Sequence, residues 1–379
     1  MNKIIVIGGN HHNTLGVIRS LGYKGLKSSL VLVGKYENPF VKYSRYIDDF
    51  VEVDNEDDAI TTLVDNKHKN KNAVVIACSD GMSSALDIHR NELIDTYRIP
   101  CSTIQGKITE IMNKEVMSQL ARNIGFNVPS SWIFENEEDL YKVDFPCITK
   151  PILSISGLKS DIVICSNVNE LRDVVNGGSC KRFQVQKFVD KDFEYQLIGL
   201  SINGGEELII PGFSRCIRPC LGTNTGFLHY ESLNDNYAPL DLCKKFVRAT
   251  GYSGLFSIEF LRDKKGVDYF MEMNFRNDGN AICVTASGTN LPYIWYLANS
   301  GGDYKSELAS SSFKSIFVMP EFADYKNFVR NHKITLRNWI VDMSRTSKFM
   351  VFDRTDMRPF IAEIGNIINR AFRRVWLKS

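Results

Sequence analysis

The segment Tyr269-Phe270-Met271-Glu272-Met273-Asn274-Phe275-Arg276 sets polar groups among apolar ones at every second position. In an extended strand, residues two apart share a face, so Glu272 and Asn274 present a carboxylate and an amide oxygen side by side. Arg276 continues that face if the strand runs on. Thirteen residues before Glu272, Ser257-Ile258-Glu259-Phe260 puts a second carboxylate on an apolar strand. A hairpin turning through Asp263-Lys264-Lys265-Gly266 lays Glu259 beside Glu272. Two carboxylates and an amide oxygen make a hard-cation site suited to Mg2+ carrying nucleotide phosphates. The plain alternative is a half-exposed hairpin with solvated charges. Apolar residues alternating around both glutamates weigh against it, because only one face is polar.

Other segments carry weaker signals. Lys150 ends the apolar run Cys147-Ile148-Thr149, with Ser154, Ser156 and Gly157 just after it. That suits an ammonium held over a phosphate beneath a small-residue loop; a solvated strand end is the alternative. Val185-Gln186-Lys187-Phe188-Val189 leads to Glu194. Backbone groups at such a crossing can meet an adenine edge, and a carboxylate can accept from ribose hydroxyls. Arg215 and Arg218 are further candidates to grip anionic groups bidentately, with plain surface arginines as the alternative.

The elements that must hold these residues can be read from periodicity. Residues 3–7, 29–33 and 73–77 are short β-branched runs separated by helix-like stretches at 14–21 and 57–66. This is the pattern of buried parallel strands with crossover helices, a doubly wound α/β unit over residues 1–106. A helical pattern follows at 107–124, with one apolar face and Gly125 at its stop. Strands are expected at 147–150, 161–165 and 183–189, with a helix at 168–175. From 193 to 275 the reading is mostly strand (193–202, 207–211, 257–261 and 269–274), interrupted by a helix at 240–250. A further helix follows at 291–299.

Taken in chain order, Met112-Asn113-Lys114, Lys150 with its small-residue loop, the Gln186–Val189 crossing, Glu194, Glu259 and the Glu272–Arg276 strand resemble the ATP-grasp superfamily over roughly residues 107–300. Within it they look most like carboxylate–amine ligases, particularly carboligases related to D-aspartate ligase. The resemblance implies a mixed α/β and α+β chain. A Rossmann-like pre-ATP-grasp domain would span 1–106, and a two-lobed ATP-grasp domain 107–300 (small lobe 107–189, large lobe 190–300), with a basic extension over 301–379. It also implies that Lys114 and Lys150 contact ATP phosphates, Lys150 acting in catalysis as well. Gln186, Lys187, Phe188 and Val189 would frame adenine, and Glu194 the ribose. Glu259, Glu272 and Asn274 would hold Mg2+, and Arg276 would face the acyl phosphate or the substrate carboxylate. The activity implied is ATP-dependent joining of a carboxylate to an amine, with release of ADP and phosphate. Rivals are bicarbonate activation of the carbamoyl-phosphate-synthase kind and a nucleotide-binding regulator without turnover. Two departures bear on ATP: Gln186 stands where many relatives have Glu, and the loop after Lys150 has one glycine. A third, Phe275-Arg276-Asn277-Asp278-Gly279 in place of Pro-Arg and glycines, leaves the acceptor open.

Elsewhere the sequence restricts the options. Gly8, Gly9 and Gly16 miss the dinucleotide spacing, and no acidic residue ends the second strand, so a nicotinamide cofactor is not expected. Asn10, His11 and Asn13 after the first strand either line a substrate pocket or simply shape a turn, and Asp80-Gly81 after the third strand has the same standing. Nine scattered cysteines without a CxxC pair indicate reduced thiols in a cytoplasmic protein. No apolar run reaches the length of a membrane span or a signal peptide. The net charge of +2 conceals an asymmetry: residues 301–379 hold 14 Lys and Arg against 8 Asp and Glu, a net of +6. Small-molecule substrates, no nucleic acid and a homodimer are the expected partnerships. In the tail, Ile364, Ile367, Ile368, Ala371, Phe372, Val375 and Trp376 form a helical apolar stripe opposite Arg370, Arg373, Arg374 and Lys378. Residues 360–379 would therefore contact either the protein body or a partner, the favoured reading, or an anionic membrane surface.

Overall fold

The β-branched runs of the first hundred residues pair in parallel because each is too apolar to leave a face in water. Strands β1 (Ile4–Gly8), β2 (Ser28–Val33), β3 (Ile47–Val53), β4 (Ala73–Ala77) and β5 (Tyr97–Arg98) form a sheet in the order β3-β2-β1-β4-β5. Helices α1 (His12–Gly22), α2 (Glu56–Asp65), α3 (Asp80–Ile88) and the short α4 (Arg90–Leu93) flank it. Strand β3 was not anticipated: its sequence, Ile-Asp-Asp-Phe-Val-Glu-Val, lies at the sheet edge with most side chains exposed, so it lacks the apolar signature of its neighbours. The computed structural model describes residues 2–134, 140, 142–150, 163–177, 183–219, 225–233 and 239–376.

After β6 (Cys101–Ser102) the helical pattern of 107–124 divides into α5 (Lys107–Ile111) and α6 (Lys114–Ile124). The break is chemical: the Asn113 side chain accepts from the backbone N–H groups of Glu115 and Val116 and so caps a new helix. Gly125, at φ 108°, ends α6 in the left-handed region where glycine is the residue of choice. Strands β7 (Ser131–Phe134), β8 (Cys147–Lys150), β9 (Ile164–Cys165) and β10 (Phe183–Lys187) make a small antiparallel sheet in the order β7-β10-β8-β9, covered by α7 (Val168–Gly177).

The largest sheet has nine strands among the described residues. To β6 it adds β11 (Lys191–Ile202), β12 (Glu207–Ile209), β13 (Gly212–Pro219), β14 (Gly226–Ser232), β15 (Tyr252–Asp263), β16 (Asp268–Asn274), β17 (Ile316–Met319) and β18 (Thr346–Phe349). Helix α8 (Leu240–Thr250) seals one face: Phe246 and Val247 pack with Tyr195, Phe256, Phe260 and Phe270 in an apolar core. Helices α9 (Ile282–Ser287) and α10 (Leu291–Ser300) share a second core with α1, which fuses the N-terminal unit to the large sheet.

Residues 301–379 were expected to lie beyond the catalytic unit. Instead β17 pairs with β14 and β18 with β17, so the tail extends the large sheet. Helices α11 (Tyr304–Ala309), α12 (Glu321–Asp324) and α13 (Leu336–Arg345) surround these strands in sequence, and α14 (Arg358–Trp376) closes the chain. Buried acids fasten this tail. Asp356 accepts from Arg19 Nε at 3.1 Å, Ser44 Oγ at 2.7 Å and the Arg45 backbone N at 2.9 Å, while Glu321 accepts the backbone N–H of Phe352 at 2.6 Å. Docking of the α14 stripe on the body, one of the two contacts in the favoured reading, also needs correction. The stripe residues Ile368 and Phe372 are 48% and 68% exposed, whereas Phe360, against Phe322, and Asn366, bonded to Asn38, make contacts with the rest of the chain.

Candidate active site

The polar face of the large sheet is assembled rung by rung. Gln196 on β11 stands opposite Glu259 on β15, and Glu259 opposite Glu272 on β16, so one rung carries an amide and two carboxylates. The next rung places Ser257 opposite Asn274. Glu194 lies on the same face of β11, two residues before Gln196. The expected hairpin thus brings Glu259, Glu272 and Asn274 together. The alternation around them is not strict, however. Phe260 pairs with Phe270, leaving Met271 as an extra residue, a bulge that lets Phe270 and Met273 both reach the core while Glu272 and Asn274 stay on the polar face.

Hydrogen bonds fix the set. Glu259 Oε1 accepts from Gln196 Nε2 at 3.0 Å and from Asn274 Nδ2 at 3.1 Å. Asn274 Nδ2 also donates to Ser257 Oγ at 3.2 Å, which turns the amide oxygen to the side away from these acceptors. Burial, then the neighbouring Glu272 and Asp278, hold the Glu259 carboxyl well above the usual carboxylate range. A half-accessible Glu272 beside a buried Glu259 is an arrangement that a cation relieves. Among the described residues no three carboxylate, imidazole or thiol groups converge as a complete cage. Two carboxylates and an amide oxygen, with the remaining positions left to phosphates and water, fit Mg2+. Glu194 pairs with Lys191, and its Oε2 is buried without a partner among the described residues. A ligand hydroxyl aimed at that oxygen would satisfy it.

Arg276 departs from expectation. Strand β16 ends at Asn274, so Arg276 does not continue its face. It reaches the start of α3, where Nε donates to Asp80 Oδ1 at 3.0 Å, and Nη1 meets Asp278 Oδ2 at 3.3 Å. Asp278 in turn accepts from Ser257 Oγ at 2.9 Å, which ties the guanidinium to the carboxylate cluster. The Asn277 backbone N donates to Ala77 O at 3.1 Å, and Asn13 Nδ2 donates to Asn277 O at 2.8 Å. The loop after β16 is therefore seated across the C-terminal ends of β1 and β4, where the strand order of the parallel sheet reverses and ligands of such sheets gather.

Two histidines complete this corner. His11 Nδ1 accepts from the Asn13 backbone N at 3.2 Å and caps α1. Burial and the Arg276 charge lower its pKa to about 4, against the opposing pull of Asp278. Burial, then His11, holds His12 well below 6.5, and its Nε2 is buried without a partner among the described residues. A Cβ on Gly279 would lie 2.7 Å from Thr225 Oγ1 and 3.7 Å from His12 Nε2, so only glycine allows this approach. Of these groups, Gln196, Ser257, Asp278 and Gly279 were not singled out as site residues, nor was Asn280, whose Nδ2 donates to Gln196 Oε1 at 2.7 Å. The available signal was the run Asp278-Gly279-Asn280 directly after Arg276.

The small lobe is separate. Gln186 is buried in β10, opposite Ile148 of β8 and Ser131 of β7. The backbone N–H groups of Lys187 and Phe188 donate to Ser130 O at 2.8 Å and Pro146 O at 2.9 Å, so they are committed within the lobe, while Val189 follows at its edge. Lys150 pairs with Gln184 through its backbone, and its side chain lies outside the described residues, as does the loop with Ser154, Ser156 and Gly157. Lys114 opens α6, which packs against β16 through Met117 Sδ, 3.1 Å from the Met273 backbone N. The two other arginines do not join the cluster. Arg218 is held by Asp324 at 2.8 Å and Asp342 at 2.9 Å, and Arg215 stacks over Phe193, 4.3 Å from the ring centroid, on the opposite face of the sheet.

No family model matches the chain. Curated relatives are the formate-dependent phosphoribosylglycinamide formyltransferases of Bacteroides fragilis and Bacteroides thetaiotaomicron, 25% and 24% identical over 198 residues. Each match covers 48% of this chain and 49% of the relative, so the chain spans about half the length of the curated relatives it matches. Similar solved structures include an N5-carboxyaminoimidazole synthetase from Staphylococcus aureus, with TM-score 0.67, 16% identity, and 88% of this chain and 89% of that chain covered. An L-amino acid ligase from Bacillus licheniformis has TM-score 0.60 at 17% identity, covering 78% and 73%. A biotin carboxylase from Campylobacter jejuni has TM-score 0.62 at 15% identity, covering 83% and 74%.

Proposed function

This chain has the ATP-grasp fold, and we propose that it is an ATP-dependent ligase that activates a carboxylate as an acyl phosphate and joins it to an amine. The observation that carries this reading is the rung of Gln196, Glu259 and Glu272 with Asn274 beside it. It supports placing a nucleotide between this face and the small lobe, with Glu194 on the ribose, Val189 and the Gln186–Phe188 segment at the base, and Lys114 and Lys150 on the phosphates. Mg2+ held by Glu259, Glu272 and Asn274 would neutralise phosphate charge as the γ-phosphoryl group moves to the substrate carboxylate. Arg276 would steady the acyl phosphate from the rim of that face, oriented by Asp80 and Asp278. The amine would enter between Arg276 and the His11–His12 corner. Carboxylates outnumber the guanidinium there, which favours an ammonium group, and neutral imidazoles do not repel it.

The test is ADP release from ATP and Mg2+ across a panel of carboxylates and amines, with an amino acid among them. Turnover should require both partners, and Glu272→Gln should lower it by on the order of 100-fold or more. ADP release with bicarbonate alone would transfer the reading to bicarbonate activation; the neighbours include a carboxylase domain crystallised with MgADP and bicarbonate. ATP binding without hydrolysis over the whole panel would leave a nucleotide-binding regulator.

A further inference from the structure

Helix α14 meets the rest of the chain at its start through Phe360, which packs against Phe322 and Phe352, and further along through its polar side. Asn366 exchanges hydrogen bonds of 2.9 Å with Asn38, and Arg373 Nη1 reaches Glu37 at 3.0 Å. The apolar stripe faces the other way: Ile361, Ile364, Ile368 and Phe372 fall on one arc of the helix and are all exposed. Among the described residues, ten of the twenty exposed large apolar side chains belong to residues 301–379, so this exposure is concentrated rather than scattered. Charge is concentrated there too. Of the eight acids in the tail, Glu321, Asp324, Asp353 and Asp356 are buried, so solvent meets mainly the bases.

We propose that α14 seats the protein peripherally on an anionic lipid surface. Ile361, Ile364, Ile368 and Phe372 enter the boundary between headgroups and acyl chains, and the excess of exposed bases over exposed acids in the tail draws it to lipid phosphates. A bilayer of this kind offers both complements at once. A second copy would offer the apolar one while bringing two basic tails together, and a nucleic acid would leave the stripe uncovered. No helix among the described residues is long and apolar enough to cross the membrane, so the contact lies in the plane of the surface.

The full-length chain should co-sediment with phosphatidylcholine vesicles containing phosphatidylglycerol at least about tenfold better than with phosphatidylcholine alone, since each basic residue near an anionic surface adds severalfold. The excess should shrink as salt rises. Ile368→Asp/Phe372→Asp should reduce binding by on the order of tenfold or more without lowering Tm, because both positions are exposed. The matching pair Leu336→Asp/Ile340→Asp on α13 should leave it unchanged. Equal binding to both vesicle types, or binding retained by the α14 pair, overturns the proposal. So does a lipid-free dimer that the α14 pair dissociates, which would assign the stripe to a second copy.

Discussion

At the scale of single residues, the site depends on charges placed where they are uncomfortable. Glu259 is buried beside Glu272 and Asp278, and that burial, then the two neighbours, hold its carboxyl well above the usual carboxylate range. If the pair serves one Mg2+, Glu259→Gln and Glu272→Gln should each abolish the Mg2+-dependence of ATP binding, measured by calorimetry, while Asn274→Ala weakens it less. The histidine corner gives a pH prediction. His12 is held below 6.5 and His11 near 4, so the folded chain refuses protons that the unfolded chain takes up below about 6.5. Their contribution to stability is complete above pH 6.5 and is lost as pH falls toward 4. Melting temperature recorded from pH 7 down to about 5 should therefore fall less steeply for His12→Gln than for the parent chain. A parallel decline in the two would remove His12 from the account.

At the scale of elements, one buried ion pair ties the tail to the first helix. Arg19 and Asp356 are 0% and 2% exposed and pair at 3.1 Å. Asp356→Ala leaves a buried guanidinium unmatched and should cost about 3–5 kcal/mol in urea unfolding. An effect under about 1 kcal/mol would mean that the tail is anchored elsewhere. This contact also marks the limit of what the sequence disclosed. Strands β1, β2 and β4 were legible because both faces are buried and the residues read as continuous apolar runs. The β15–β16 hairpin was legible because a turn sequence joins two half-polar strands. Partners far apart in sequence leave no periodic trace, so neither the Arg19–Asp356 pair nor the β14–β17 pairing could be read, and the tail looked like an appendage. The same limit hid the tie from Asp80 to Arg276: each residue was noticed, but their meeting depends on two units packing together. A one-residue bulge at Met271 was equally invisible, since the alternation looks regular until the register is known.

At the scale of the whole molecule, the nucleotide reading predicts a linked stability. If ATP with Mg2+ binds between the large sheet and the small lobe, a hundredfold excess over Kd should stabilise the fold by about 2.7 kcal/mol. Chelating Mg2+ should remove most of that gain, as seen by calorimetric melting, and Glu272→Gln should show little of it from the start. An equal shift with and without Mg2+ would separate nucleotide binding from the carboxylate cluster. The chain's layout also has a consequence for its synthesis. Arg19 lies in the first helix, and its acidic partner is made 337 residues later. At ordinary ribosomal speeds roughly 20–70 s pass between the two. Through that interval the nascent α/β unit displays an uncompensated cation on a surface meant to be covered, and the large sheet lacks its β17 edge. The α/β unit therefore cannot close that surface until the segment carrying β17 and Asp356 has emerged and folded back onto it.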